Sequence, residues 1–159
     1  MLTEKVAISS IDVEMTNTTI ANTGEKAATI FRTNTKQGNV SLVVKNCTFY
    51  NLFSGEALMR DIIGSTNSFT AENILFAGSG SVKIFNKTSD APGIINGSKI
   101  YSSLDLTVAN AGEVSTTALS YSSSQLFPNA SSSTDVLDLT FGADIPNEVK
   151  IIGDPRWNK

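Results

Sequence analysis

Leu42-Val43-Val44-Lys45-Asn46-Cys47-Thr48-Phe49-Tyr50-Asn51 reads as two short strands hinged at an asparagine. Leu42 and Val44 alternate with Val43 and Lys45, a period of two that puts two aliphatic side chains on one face of a strand. Asn46 interrupts the pattern. Asparagine tolerates the left-handed backbone region and hydrogen-bonds its own surroundings, so it turns a chain where a β-branched residue would be strained. Cys47 and Phe49 resume the alternation, and Asn51 closes the unit.

The same arrangement recurs upstream, as Met15-Thr16-Asn17-Thr18-Thr19-Ile20-Ala21-Asn22, and downstream, as Ala71-Glu72-Asn73-Ile74-Leu75-Phe76-Ala77-Gly78. The hinge asparagines at 17, 46 and 73 are 29 and then 27 residues apart, and a weaker copy is expected at Asn96, 23 residues on. A period in this range signals stacked supersecondary units. Between the units lie further short apolar pieces, Ala28-Thr29-Ile30-Phe31-Arg32, Ala57-Leu58-Met59-Arg60 and Val82-Lys83-Ile84-Phe85-Asn86, reached through turns at Gly24, Gly55 and Gly80. Each repeat therefore holds three strands too short to bury anything alone. They become stable only by pairing with the repeats above and below.

The pattern aliphatic-x-aliphatic-x-Asn-x-Thr-aromatic-x-Asn of Leu42 to Asn51 resembles the repeat of right-handed parallel β-helices of the pectate-lyase-like kind. The closing Gly153-Asp154-Pro155-Arg156-Trp157 resembles the ending of pectate-lyase-like families secreted or surface-displayed by gut bacteria. The resemblance covers residues 6–100 as repeats, together with the last few residues. It implies an all-β fold, a right-handed parallel β-helix over 1–108 with an irregular C-terminal tail over 109–159 packed on it as part of one domain. It also implies an extracellular or cell-surface location.

Length and composition agree with one such domain, since 159 residues suffice for a continuous core. The abundance of Ser, Thr and Asn suits strands and turns better than helices. A net charge of −3 and an isoelectric point near 4.9 argue against nucleic acid as a partner, because phosphate binding needs a basic field. No apolar run approaches the roughly 18 residues of a membrane span, and Met1-Leu2-Thr3-Glu4-Lys5 is not a signal peptide. Strand-like sequence begins almost at once with no cap over the first repeat, and an uncapped sheet end is a liability that natural proteins cover. The expectation is a monomeric C-terminal segment of a longer exported bacterial protein, with Met1 not its natural start. A single cysteine rules out an intramolecular disulfide. Cys47, on the aliphatic face after a hinge, reads as a small buried hydrophobe in preference to a reactive thiol.

Stacked strands sit ~4.8 Å apart, so equivalent residues of successive repeats form columns. Asn17, Asn46 and Asn73 then make a ladder of side-chain amides. The alternative is glycan attachment, since the stretches beginning at Asn17, Asn46, Asn86, Asn96 and Asn129 match the acceptor pattern. A second column holds Phe31, Met59 and Phe85, with Arg32, Arg60 and Asn86 next to it and Lys87 just beyond. A one-residue slip would exchange the two faces. Burying unpaired guanidinium groups is costly and burying Phe and Met is favourable, so the arginine column is expected outside. Two arginines ~5 Å apart repel by roughly 0.8 kcal/mol even in water, and they draw an anion or a carboxylate. An acidic polysaccharide meets that need, because a guanidinium fork holds a carboxylate bidentately. Arg32, Arg60, Lys87 and Asp61 are the candidate substrate-binding residues. The resemblance implies that this strand belongs to the sheet whose outer face carries the groove in pectate-lyase-like enzymes. The competing reading is a solvated face on which the arginines pair with Glu25, Glu56 or Asp61.

The absence of histidine removes every histidine-dependent triad and acid-base scheme. Glycoside hydrolysis needs two carboxylates ~5 to 9.5 Å apart. Asp61 with Asp90, or Glu25 with Glu56, could stack near that distance, but scattered acids on a periodic chain produce such pairs by chance. The resemblance to uronate lyases implies a basic proton abstractor and carboxylates holding calcium. Arg60 beside Asp61 meets that description only in part, and no Asp-rich cluster accompanies them. No catalytic residue, metal site or cofactor is therefore assigned, with calcium as the one cofactor left open. Gly78-Ser79-Gly80-Ser81 lacks the Lys-Ser/Thr ending of a phosphate loop and reads as a turn.

Beyond about residue 100 the repeat decays. Leu104, Leu106 and Val108 still alternate, Ser122-Ser123-Ser124 reads as loop, and Leu126 and Phe127 are expected to anchor the tail. Val136, Leu137, Leu139 and Phe141 predict a last strand before Pro146. Trp157 reads as a plug over the stack, or alternatively as a platform for a sugar ring, and Arg156 is expected to reach an acid. The function expected is non-catalytic association with polysaccharide. One alternative is the C-terminal part of a polysaccharide lyase or glycoside hydrolase whose groove other repeats complete; another is a structural or adhesive spacer.

Overall fold

The computed structural model describes residues 10–22, 29–32, 39–52, 57–60, 64–85, 92–109, 114–130 and 137–159, with the backbone alone at 32, 57, 59, 60, 64, 65 and 92. In chain order the strands are β1 (Ser10–Thr16), β2 (Thr19–Ala21), β3 (Phe31–Arg32), β4 (Asn39–Tyr50), β5 (Ala57–Arg60), β6 (Gly64–Ala77), β7 (Gly80–Phe85), β8 (Pro92–Ser102), β9 (Leu106–Ala109) and β10 (Thr116–Ala118). They form two sheets. The first runs β1-β4-β6-β8-β10, with β2 also on β4, and the second runs β3-β5-β7-β9. All pairings among the described strands are parallel. The chain is mostly β, and from β2 to β10 it lays its strands alternately in one sheet and the other.

Asn46 and Asn73 bend β4 and β6 without ending them, whereas Asn17 separates β1 from β2. Asn17, Asn46 and Asn73 have φ of 47°, 50° and 55°, and a second set, Asn22 and Asn51, has 52° and 49°. Amides of successive passes are hydrogen-bonded in rows. Asn46 Nδ2 donates to Asn17 Oδ1 at 3.2 Å, Asn73 Nδ2 to Asn46 Oδ1 at 2.9 Å, and Asn51 Nδ2 to Asn22 Oδ1 at 3.2 Å. Gly78, with φ of 113°, follows Asn51 in the second row, and a Cβ there would lie 2.6 Å from Asn51 Oδ1. The fourth bend is not at Asn96. Asn96 pairs in register with Thr70, whereas Glu72 faces Ser98 and Ile74 faces Ile100, which puts Lys99 level with Asn73. Lys99 takes up the same left-handed conformation, with φ of 53°. Register, carried by flanking apolar residues, outweighs local preference here.

Between the two sheets lies the main core, containing Leu42, Val44, Cys47, Phe49, Phe69, Ile74, Phe76, Ile84 and Phe85. Phe49 stacks on Phe76 at 5.1 Å, and Phe69 meets Phe85 edge-on at 5.4 Å across the sheets. Each such side chain removed from water contributes about 1.5–3 kcal/mol. Cys47 is fully buried, and burial pushes its thiol up from the ordinary range.

A second core lies on the outer face of the first sheet. Before Asn46, β4 alternates buried and half-buried residues, and after it Cys47, Thr48, Phe49 and Tyr50 are all buried. The cause is the C-terminal tail, which lays Leu126, Phe127, Leu139, Phe141, Ile145 and Ile152 over Tyr50, Leu75 and Ala77. A strand covered on both faces loses its alternation, and Ile74-Leu75-Phe76-Ala77 shows this directly.

The tail is more ordered locally than its composition suggests. Ser122 caps the short helix α1 (Ser123–Leu126), with Gln125 reaching back in a capping box, so the serine run is a helix start. Residues 116–118 extend the first sheet as β10. The strand expected around Leu139 and Phe141 is absent from residues 137–141, where both side chains are buried from an irregular segment. Helix α2 (Asn147–Lys150) and a 3-10 turn (Pro155–Trp157) complete the chain.

Candidate functional site

The register places Arg32 directly beside Arg60 in neighbouring parallel strands, as Phe31 is beside Met59 and Met59 beside Phe85. Phe85 is buried and Phe31 is half-buried against the main core. Lys87 and Asp61 lie outside the described residues, as do Glu25, Glu56 and Asp90.

The chain end is held by a buried carboxylate. Asp154, fully buried, accepts from Thr19 Oγ1 at 2.7 Å, from the Arg156 N–H at 3.0 Å and from Arg156 Nε at 2.9 Å. Its own N–H donates to Thr48 Oγ1 at 2.9 Å, and Trp157 Nε1 donates to Thr19 Oγ1 at 2.7 Å. Burial pulls the Asp154 carboxyl upward, but the hydrogen bonds from Arg156 and Thr19 and the charge of Arg156 outweigh it, so the group lies below the usual carboxylate range. Gly153 makes the approach feasible, with φ of 82° and no room for a Cβ, which would lie 2.4 Å from Thr48 Oγ1. Trp157 sits half-buried against the second core. The Gly-Asp-Pro-Arg-Trp ending thus ties the tail to β2 and β4.

Two adjoining open depressions flank α1 and share Ser124 and Pro128. One, of about 290 Å³, is also lined by Tyr121, Gln125, Asp144 and Ile145, and the other, of about 230 Å³, by Tyr50, Asn51, Ser79 and Asp105. Beneath the second runs a buried polar network. Ser123 Oγ accepts from the Gly78 N–H at 2.6 Å and lies 2.8 Å from Ser103 Oγ. Gly78 O at 2.6 Å and Asp105 Oδ1 at 2.9 Å share its single hydrogen, and the Ser123 N–H donates to Asp105 Oδ1 at 2.9 Å. Desolvation raises the Asp105 carboxyl, yet the donors of Ser123 and Ser103 bring it below its ordinary value. Asp105 is therefore an oriented anion at the rim. Burial pushes the Tyr50 phenol up, and Asp105 adds to that.

The sequence reading took Gly78-Ser79 as a turn, Ser122-Ser123-Ser124 as loop and Phe127 as an anchor, and gave none of this lining a binding role. The available signal was Ser122-x-x-Gln125, the capping pattern that places α1 and with it the rim. The described residues contain no group of three or more metal-ligating side chains. Ser123 Oγ lies within hydrogen-bond distance of the Asp105 carboxylate, and the chain contains no histidine. No helix is long and apolar enough to cross a membrane among the described residues. No family model, no curated protein and no solved structure matches the chain.

Proposed function

We propose that this chain is a right-handed parallel β-helix that associates with polysaccharide, without catalysis of its own, as part of an exported or cell-surface bacterial protein. The alternation of parallel, in-register strands between two sheets supports the architecture, and the strong right-handed preference of parallel crossovers supports the hand. The observation that carries the function is the register of Arg32 with Arg60. Phe31 and Phe85 pack on the core, and strand alternation then supports an outward face for positions 32 and 60. Like charges held one strand spacing apart favour a polymer with regularly placed carboxylates, to which Lys87 and Asp61 would add contacts. A resident calcium ion is not needed for this reading.

Titration of the protein with polygalacturonate at low and high salt tests it. Saturable binding is expected, weakened at least tenfold in the Arg32→Ala/Arg60→Ala double variant and by added salt. Equal binding by the double variant would overturn the proposal. New unsaturated or reducing ends in the same mixture would favour a lyase or hydrolase instead.

A further inference from the structure

We infer that the paired depressions along α1 form a second glycan contact, one that takes a neutral, hydroxyl-rich sugar chain. The inference shares with the preceding section only the premise of a glycan-associating protein, and its ligand has the opposite charge preference.

Charge decides the ligand class. Asp105 and Asp144 stand on the two halves of the groove, and among the described residues no lysine or arginine lines either half. Among these residues a uronate or phosphate would meet carboxylates and no counter-charge. Sugar hydroxyls, by contrast, donate readily to carboxylates. Asp105 is suited to this because the Ser123 N–H and Oγ converge on Oδ1 and fix the group before any ligand arrives.

Shape agrees with a sugar chain. The half-buried Tyr121 supplies one aromatic surface beside Asp144, and Gln125 Nε2 and Asn51 Oδ1 lie further along, the other ends of the two amides being engaged by Ser122 and Asn22. An apolar surface with a few convergent polar groups is the usual make-up of a small-molecule site. Each depression alone is below the ~300–1,000 Å³ of an enclosing ligand pocket, and the two join at Ser124 and Pro128. A chain of rings laid across the surface fits that form better than one engulfed molecule. The anchoring is rigid, since Ser123, at the floor, ties the helix to Gly78, Ser103 and Asp105.

The test is an amide-resolved NMR titration of the isotopically labelled protein with cellohexaose, mannohexaose and hexagalacturonate. At least one neutral hexaose is expected to shift the signals of residues 121–125 and 142–145 saturably. Asp144→Ala, at an exposed position, should weaken that binding at least fivefold while the remaining spectrum stays native. Arg32→Ala/Arg60→Ala should leave it unchanged. Failure of both neutral hexaoses to move these signals overturns the inference, as does an equal response to hexagalacturonate or undiminished binding by Asp144→Ala. A neutral response without polygalacturonate binding would remove the arginine proposal and keep this one, and the reverse result would do the opposite.

Discussion

Asp154 shows how much of the molecule can rest on one side chain. A carboxylate with no exposure is tolerated because Thr19 and Arg156 satisfy it, and Arg156 keeps much of its own surface in water. Asp154→Asn should cost about 2 kcal/mol at neutral pH, read from urea denaturation. The pH dependence follows from the lowered folded-state value. The unfolded chain takes up the proton first as the medium is acidified, so the stabilisation is complete above the ordinary carboxylate value of 3.8 and is lost as pH falls through the lower folded value. Asp105 is lowered as well and acts in the same window. The denaturation midpoint should be flat between about pH 7 and 5 and drop below about 4. Asp154→Asn should make that drop shallower.

The strands and their bends carry the next set of consequences. Asn46 contributes twice, by tolerating positive φ and by joining two rungs of the amide row. Asn46→Gly keeps the first contribution and loses the second, for an expected cost of about 1–2 kcal/mol, while Asn46→Ala loses both and should cost about 1–2 kcal/mol more. Lys99 offers the converse experiment. It sits at the fourth rung in a left-handed conformation, and Asn73 Oδ1 receives no hydrogen bond from a described residue. Lys99→Asn should add about 1 kcal/mol by easing the backbone and donating to Asn73. The three asparagine bends were legible because asparagine advertises that conformation at a regular spacing. Lys99 was not, since lysine carries no such mark and only pairing with β6 reveals its place. Alternation puts Thr48 and Tyr50 on the face opposite Cys47 and Phe49 and says nothing of what covers it. What covers them is Leu126, Phe127 and Ile152, far along the chain. The groove along α1 stayed hidden because Asp105 and Ser123 meet only after the tail docks. The register of Arg32 with Arg60 could be read in advance, as it depends on one strand spacing alone.

At the scale of the whole molecule the two cores divide the work. The inner one joins sheet to sheet, and the outer one joins the sheet to a tail of low regularity, which among the described residues does not reach the face before the asparagine bends. That face carries Asp12, Glu14, Lys45 and Glu72, with Lys45 and Glu72 paired at 3.8 Å in an exposed setting that adds little stability. The amide rows also have a direction. Each donates toward the earlier pass, so Asn17 and Asn22 accept through Oδ1 while their Nδ2 groups meet no acceptor among the described residues. Two copies brought together at that end would oppose donor to donor, an electrostatic mismatch repeated at both rows. A head-to-head dimer through the Asn17 and Asn22 amides is therefore not expected in concentrated solution, and a sedimenting dimer that Asn17→Ala abolishes would be the contrary result. A one-way row of amides thus gives the stack a polarity: its first rung is matched to carbonyl oxygens and mismatched to the same end of its own likeness.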